Sequence, residues 1–246
     1  MKRAFCDLHL RVNPKETKAI KELFFKAAKM GYTAISVPFT QKFNVEELTN
    51  LRNLAAEANL DFVSRADYYP KTENDLTNFL RKFRRQFEVV CIMCDNKEVA
   101  RKAAKDRRVD LLNFPSMDFR KRFFDRAEAE LASSCLAALE VDVKPILVLE
   151  GPPRVRLLMS LRREVAVAQE FHVPIIVSSG ISEQYLLRKP QDLASLAYLF
   201  SLDEMSALDA VSSSPWTIVK RNREKLSDRF VAPGINLVKE GKLRSG

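Results

Sequence analysis

Short apolar runs alternate with longer amphipathic stretches along almost the whole chain, and this alternation restricts the fold more than any other feature. The seven runs are Ala4 to Leu10, Thr33 to Val37, Leu60 to Ser64, Glu88 to Met93, Val109 to Phe114, Ala137 to Val141 and Pro174 to Ser178. Their centres recur about every 20 to 30 residues, with a longer gap before the last, which is the spacing of a β-strand plus an α-helix. Between them, apolar residues fall three and four apart. Ile20, Leu23, Phe24 and Ala27 share one face ahead of Gly31, a helix C-cap, and Asn44 is placed to N-cap a helix carrying Leu48, Leu51 and Leu54. Parallel strands that are apolar on both faces predict an α/β protein: a TIM-like (β/α) barrel, closed or nearly closed. Extra C-terminal helices are expected over Pro190 to Phe200, Asp203 to Val211 and Pro215 to Lys225. An open doubly wound sheet is the alternative that periodicity leaves in place, and Arg126 to Leu139 reads as either helix or strand. One barrel domain is expected over residues 1–230, followed by a basic, flexible tail over 231–246.

Composition removes much of the catalytic repertoire. The chain has 246 residues, 46% of them hydrophobic and 30% charged, which suits a folded protein with a substantial core. Of its 6 glycines only Gly31, Gly151 and Gly180 precede the C-terminal stretch. There is no G-x-G-x-x-G and no G-x-x-x-x-G-K, so phosphate cradles of the Rossmann and P-loop types are excluded. Two histidines exclude a multi-histidine metal centre. No apolar run is long enough for a membrane span, and Asp7, His9 and Arg11 follow Met1-Lys2-Arg3 too closely for a signal peptide. Four cysteines in a chain of this size do not make a disulfide framework. A cytoplasmic protein with no membrane partner is expected.

The formal net charge of +9 is unevenly spread. From Pro215 onward there are 8 Lys and Arg against 3 acids, densest at Lys220-Arg221-Asn222-Arg223-Glu224-Lys225. A second basic stretch runs from Phe79 to Phe87. There Phe79, Phe83 and Phe87 would lie on the core side of a helix, with Arg81, Lys82, Arg84 and Arg85 outward. Further clusters are Arg107-Arg108, Arg120-Lys121-Arg122, Arg162-Arg163 and Arg188-Lys189. Each cluster alone is a solvated helix face; together they favour a polyphosphate partner, RNA or DNA, over an anionic membrane.

Three candidate chemistries are weak. Cys91-Ile92-Met93-Cys94 falls at a strand end, where side chains three apart point to opposite faces, so the pair is expected to be buried and inert. Ser178-Ser179-Gly180 closes the last strand. Its N–H groups offer a phosphate site, with a plain turn and Ser182 as N-cap the equal alternative. Asp7-Leu8-His9-Leu10-Arg11 is similar to the Asp-x-His-x-His that opens the metal site of PHP-type phosphoesterases. Here Arg11 stands in the second histidine position. His172 precedes its strand whereas His9 follows its own, which puts the two histidines at opposite ends of a barrel.

Several segments stand in a fixed order along the chain: Phe5-Cys6-Asp7-Leu8-His9-Leu10-Arg11, Arg108-Val109-Asp110-Leu111-Leu112 and Ser178-Ser179-Gly180. They continue through Leu187-Arg188-Lys189-Pro190-Gln191-Asp192-Leu193 and Ala207-Leu208-Asp209-Ala210-Val211-Ser212, followed by Pro215 and Arg221-Asn222-Arg223. In these segments the chain resembles the ribonuclease P protein component 3 family, the archaeal counterpart of the thirty-kilodalton eukaryotic subunit. The resemblance implies a PHP-like barrel without its metal site and a non-catalytic, RNA-binding subunit of ribonuclease P. It further implies that a catalytic RNA, using its own magnesium ions, cleaves precursor tRNA, and that ribonuclease P protein component 2 joins this chain in a heterotetramer. No cofactor is expected on the chain itself. Arg188, Arg221 and Arg223 match the family's basic positions, and Lys189 and Lys220 lie beside them. Arg107, Arg108, Arg65 and Arg162 join the RNA-binding set on charge and expected exposure. Two other readings are a PHP-like metal-dependent phosphoesterase with a reduced site around Asp7 and His9, and a module that contacts only protein.

Overall fold

The computed structural model describes residues 3–40, 44–114, 122–232 and 235–236. Parallel strands run in sequence order around a barrel: β1 (Phe5–Asp7), β2 (Tyr32–Ile35) continued by β3 (Pro38–Phe39), β4 (Asp61–Phe62) continued by β5 (Arg65–Tyr68), β6 (Val89–Met93), β7 (Leu111–Asn113), β8 (Ala138–Asp142) and β9 (Ile175–Ser178). Breaks at Ser36–Val37 and Val63–Ser64 hand the pairing from β2 and β4 to β3 and β5. The two ends of the sheet meet through a parallel bridge between Leu10 and Ile181. There the Arg11 N–H donates to the Ile181 carbonyl at 2.7 Å and the Gly180 N–H to the His9 carbonyl at 2.9 Å. The barrel expectation therefore holds, and the open sheet does not.

Helices return the chain on the outside, and local chemistry marks their ends. In α1 (Thr17–Met30) the residues Ile20, Leu23, Phe24 and Ala27 are buried, and Gly31 caps it at φ 99°, a backbone that favours glycine. Asn44 accepts from the Glu46 N–H to start α2 (Val45–Glu57). Thr72 and Asp75 form a reciprocal capping box at α3 (Glu73–Phe83). The remaining helices before β9 are α4 (Lys97–Ala104), α5 (Arg126–Cys135), α6 (Lys144–Val148) and α7 (Gly151–Glu170). After β9 come α8 (Pro190–Ala197), α9 (Glu204–Ala210) and α10 (Ser213–Leu226), which realise the extra C-terminal helices. The ambiguous stretch from Arg126 resolves into both elements, α5 and then β8, separated by Leu136 at φ 64°. Where the flexible tail is expected to begin, β10 (Phe230–Ala232) pairs antiparallel with β11 (Ile235–Asn236); residues 233–234 and 237–246 of that expectation lie outside the described residues.

Alternation along the strands divides two cores. One face of each strand meets the helices in the larger apolar cluster, through residues such as Val90, Ile92, Leu112, Leu139 and Val177. The other face points into the barrel, where Cys6, Leu8, Ala34, Val63, Val89, Cys91, Leu111, Ala138 and Ile176 form a smaller cluster. Ile218 and Val219 of α10 close this inner cluster from the end where the strands begin. Burying each such aliphatic side chain stabilises the fold by about 1.5–3 kcal/mol. Cys91 lies in the inner core and Cys94 in the outer, both buried and reduced, so the C-x-x-C is divided between two faces as its spacing predicts.

Candidate functional site

The inner face changes character toward the ends of the strands. Small inward residues at the base, Cys6, Ala34 and Ala138, leave room above them for the guanidinium of Arg65, which is 0% exposed. Arg65 Nε donates to Asp67 Oδ1 at 2.6 Å, and its two terminal nitrogens donate to Glu140 Oε1 and Oε2 at 2.6 and 2.7 Å. Nη1 also reaches the Leu8 carbonyl at 2.9 Å. Asn113 and Ser178 donate to the same Glu140 carboxylate, at 2.9 and 2.7 Å. This corrects the expectation for Arg65. It sits inside a strand two residues before Asp67, points into the barrel and is unreachable by RNA.

His9 sits over this layer with a carboxylate on each ring nitrogen: Asp142 Oδ1 is 2.7 Å from Nδ1 and Asp67 Oδ2 is 2.9 Å from Nε2. Arg11 covers the arrangement, donating to Asp142 Oδ2 at 3.0 Å, with its Nε 2.9 Å from His9 Nε2. Burial and Arg65 push the imidazole pKa down, but Asp142, Asp67 and Glu140 outweigh them and hold it up at about 9. His9 is therefore an imidazolium donating to both carboxylates, with Arg11 anchored by Asp142. Burial pushes Glu140 and Asp67 up, but Arg65 and His9 outweigh it and keep both below the usual carboxylate range. Three cations, Arg65, His9 and Arg11, thus face three carboxylates, Asp67, Glu140 and Asp142.

His9, Glu140 and Asp142 bring potential ligand atoms within 4.8 Å of one another. These residues do not fit a metal ion. His9 Nδ1 and Asp142 Oδ1 are already in direct hydrogen bond, both Glu140 oxygens are occupied by Arg65, and Arg11 holds the second Asp142 oxygen. A dication would enter a site whose negative charge is already matched. Asp7 plays a different part: its Oδ1 accepts the N–H groups of His9 and Ser179, both at 3.1 Å, tying β1 to the end of β9. Burial raises its carboxyl above the usual range against those hydrogen bonds. The same bonds correct the phosphate reading of Ser178-Ser179-Gly180, because the Ser179 and Gly180 N–H groups are committed inside the fold. Ser182 caps no helix either; the 3-10 turn that follows starts from Glu183 without a side-chain cap.

A pH dependence follows. Because the His9 pKa is raised on folding, from 6.5 to about 9, its stabilising contribution is complete below pH 6.5 and disappears as pH rises through 9. That contribution is on the order of 3 kcal/mol. Asp67 and Glu140 act oppositely: their contribution is present at neutral pH and is lost as pH falls below about 4. Denaturant unfolding between pH 6 and 10 should show a decline that is absent in His9→Gln, and the imidazole resonances of wild type should titrate near 9.

The basic residues expected at the surface have divergent placements. Arg223 clamps α10 to the barrel base, with Nη1 and Nη2 on Asp61 at 2.6 and 2.7 Å and Nε on Glu88. Its charge is matched within the fold. Arg221 reaches Asp110 at 3.0 Å, Arg108 is held by Asp106 at 2.7 Å, and Lys220 lies over the Trp216 ring. Arg107 and Lys189 are exposed, Arg188 donates to the Tyr185 and Leu187 carbonyls, and Arg162 donates to the Leu199 carbonyl. The structure gathers Arg107, Arg221 and the nearby Arg84 at the end where the strands begin. Arg188 and Lys189 lie at the start of α8, where the Arg188 carbonyl accepts from the Tyr32 hydroxyl at 3.0 Å. Arg122 is buried on Glu164, while Arg120 and Lys121 lie outside the described residues. Phe79 stacks on Tyr68 with ring centres 3.9 Å apart, and Phe87 is buried beyond α3, so these rings are core. No helix among the described residues is long and apolar enough to cross a membrane.

Comparison with known proteins agrees with this architecture. The chain is 27% identical over 241 residues to ribonuclease P protein component 3 of Methanosarcina barkeri, covering 98% of both chains. It is 23% identical to the component 3 protein of Methanocaldococcus jannaschii, over 96% of this chain and 98% of that one. Among solved structures, a chain from the cryo-EM structure of archaeal ribonuclease P with mature tRNA has the same fold, with TM-score 0.81 and 22% identity over 96% of this chain and 99% of that one. A mutant organophosphorus hydrolase from Deinococcus radiodurans shares the barrel alone, at TM-score 0.55 and 9% identity over 87% of this chain and 92% of that one. The family model described as RNase P subunit p30 matches residues 4–227, nearly the whole barrel and its closing helix, and the chain belongs to that family.

Proposed function

We propose that this chain is a non-catalytic, RNA-binding subunit of ribonuclease P that supports a catalytic RNA in 5′-end maturation of precursor tRNA. One observation carries the reading: the barrel mouth, where this fold places catalysis, is filled by Arg65, His9 and Arg11 matched to Asp67, Glu140 and Asp142. Both Glu140 oxygens, both Asp142 oxygens and both His9 ring nitrogens are already engaged there, and the one unpartnered oxygen beside them, Asp7 Oδ2, is itself buried. The phosphoesterase reading is not favoured for the same reason. Magnesium belongs, on this account, to the RNA; ribonuclease P protein component 2 is the protein partner, and the assembly works in the cytoplasm.

The chain's part is electrostatic. Arg188, Lys189, Lys220, Arg221, Arg107, Arg108 and Arg162 neutralise phosphates, so a compact RNA meets less self-repulsion; Arg65 is left out because it is fully buried, and Arg223 because two carboxylates, Asp61 and Glu88, hold it. Structured RNA is read through shape and backbone rather than base sequence. Binding of a ribonuclease P RNA transcript should weaken by at least about tenfold between 50 and 200 mM salt. Arg188→Ala should reduce stimulation of precursor-tRNA cleavage with an unchanged unfolding midpoint. RNA binding that is absent, or indifferent to salt, would contradict the reading and favour a module that contacts only protein.

A further inference from the structure

Where the strands begin, two guanidiniums hold one carboxylate, and two further cations lie on the adjoining segments. Arg84, in the turn leading to β6, and Arg221, on α10, both reach Asp110, with Nη2 to Oδ2 at 3.1 Å and Nη2 to Oδ1 at 3.0 Å. Asn222 Nδ2 and the Val90 N–H also donate to Asp110, at 2.8 and 2.9 Å. The one negative charge is thus buried, fully hydrogen-bonded and shared between two guanidiniums. Arg107, in the turn leading to β7, and Lys225, one helical turn beyond Arg221, are exposed and form no hydrogen bond or ion pair with any described residue. They nevertheless share the same field. Partial burial first, then Arg221, Arg84 and Arg107 lower the Lys225 ammonium pKa, with Asp110 opposing. Like charges four apart on a helix repel. The fold therefore keeps together a positive surplus that it does not neutralise itself.

We propose that Arg84, Arg107, Arg221 and Lys225 form the principal phosphate-backbone site of this protein, at the N-terminal end of the barrel and opposite the filled mouth. The proposal rests on the RNA-binding reading above and gives that reading a place. Arg84 and Arg221 are fixed by Asp110 and by the Phe87 and Leu136 carbonyls and contribute mainly their charge, while the exposed Arg107 and Lys225 can follow a phosphate chain. The four charges come from three separate segments and include no aromatic ring, which suits recognition of a folded RNA backbone rather than stacked, splayed bases. An acidic polypeptide is the competing occupant.

The test compares the full-length wild type, the double variant Arg107→Ala/Lys225→Ala and the control Lys18→Ala/Lys29→Ala, which removes the same charge from exposed positions on α1. A ribonuclease P RNA transcript is titrated from 50 to 300 mM salt, with poly-glutamate as second probe. The cluster variant should bind RNA about tenfold more weakly and lower the salt slope by about 1 to 2, while the control stays within about twofold of wild type. Neither cluster residue bonds to the described fold, so unfolding midpoints should coincide. Equal RNA binding by cluster variant and control would overturn the proposed place and leave the RNA-binding reading standing. Absence of RNA binding by the wild type would overturn both. Tighter capture of poly-glutamate than of RNA, abolished in the cluster variant, would overturn the proposed occupant.

Discussion

Arg65→Met should cost the protein about 3–5 kcal/mol, because it leaves buried carboxylates without their cation. The side chain is fully buried, and it donates to both Asp67 and Glu140, taking both oxygens of the latter. Methionine fills much of its volume, so the loss reports charge and hydrogen bonding more than a cavity. Equilibrium denaturation at pH 7 is the measurement. The penalty should shrink in Arg65→Met/Glu140→Gln, where the largest uncompensated charge has been neutralised, and the two effects should be strongly non-additive. It should shrink at low pH as well, since the orphaned carboxylates can then be protonated. If Arg65→Met were neutral at pH 7, the ionised network would have no role in holding the barrel mouth together.

The second large effect is expected at Gly180. Its φ is +64°, and a Cβ there would lie 2.8 Å from both Cβ and Cγ of Asp142. Alanine at this position meets two penalties, a left-handed backbone and a collision with the side chain that holds His9 and Arg11. The combined cost should be about 2–4 kcal/mol. Gly151 is the internal control: its φ is +57° but nothing lies within 4 Å of an added Cβ, so Gly151→Ala should cost only about 1 kcal/mol. The collision has a specific signature besides stability. If Asp142 is displaced from His9 Nδ1, the imidazole pKa should fall below that of wild type. A Gly180→Ala variant as stable as Gly151→Ala, with His9 still titrating near 9, would show that Asp142 is free to move.

These two positions also show what could be read from residues alone. The seven apolar runs each mark one barrel strand, because an inward and an outward apolar face leave a continuous run, but the continuations β3 and β5 fall beyond them. The third run ends at Ser64, whereas the strand continues through Arg65–Tyr68. Charged residues broke the run, and charge was read as exposure. A signal was present: Arg65 and Asp67, and likewise Glu140 and Asp142, stand two apart near strand ends, and that spacing puts each pair on one face. Two strands with charged pairs on one face and apolar residues on the other predict an ionised barrel mouth. The bonds that commit Arg221 and Arg223 were illegible, since Asp61, Glu88 and Asp110 lie more than 100 positions away in sequence. The helix ends at Asn44 and Gly31 are plain in the sequence, because these caps act through neighbours within a few residues.

The account assigns one end of the barrel to structure and the other to RNA. The charged groups at the mouth are matched to one another although a cavity of about 930 Å³ lined by Arg11, Asp67 and Tyr69 opens beside them, and unneutralised cations gather at the opposite end. The most direct measurement is precursor-tRNA cleavage at low magnesium, with the catalytic RNA and its partner subunit present, in the presence and absence of this chain, and with the chain alone. The account predicts no cleavage by the chain alone, and acceleration when it joins the RNA and the partner. Metal-dependent cleavage by the chain alone, lost in Asp142→Asn, would contradict it.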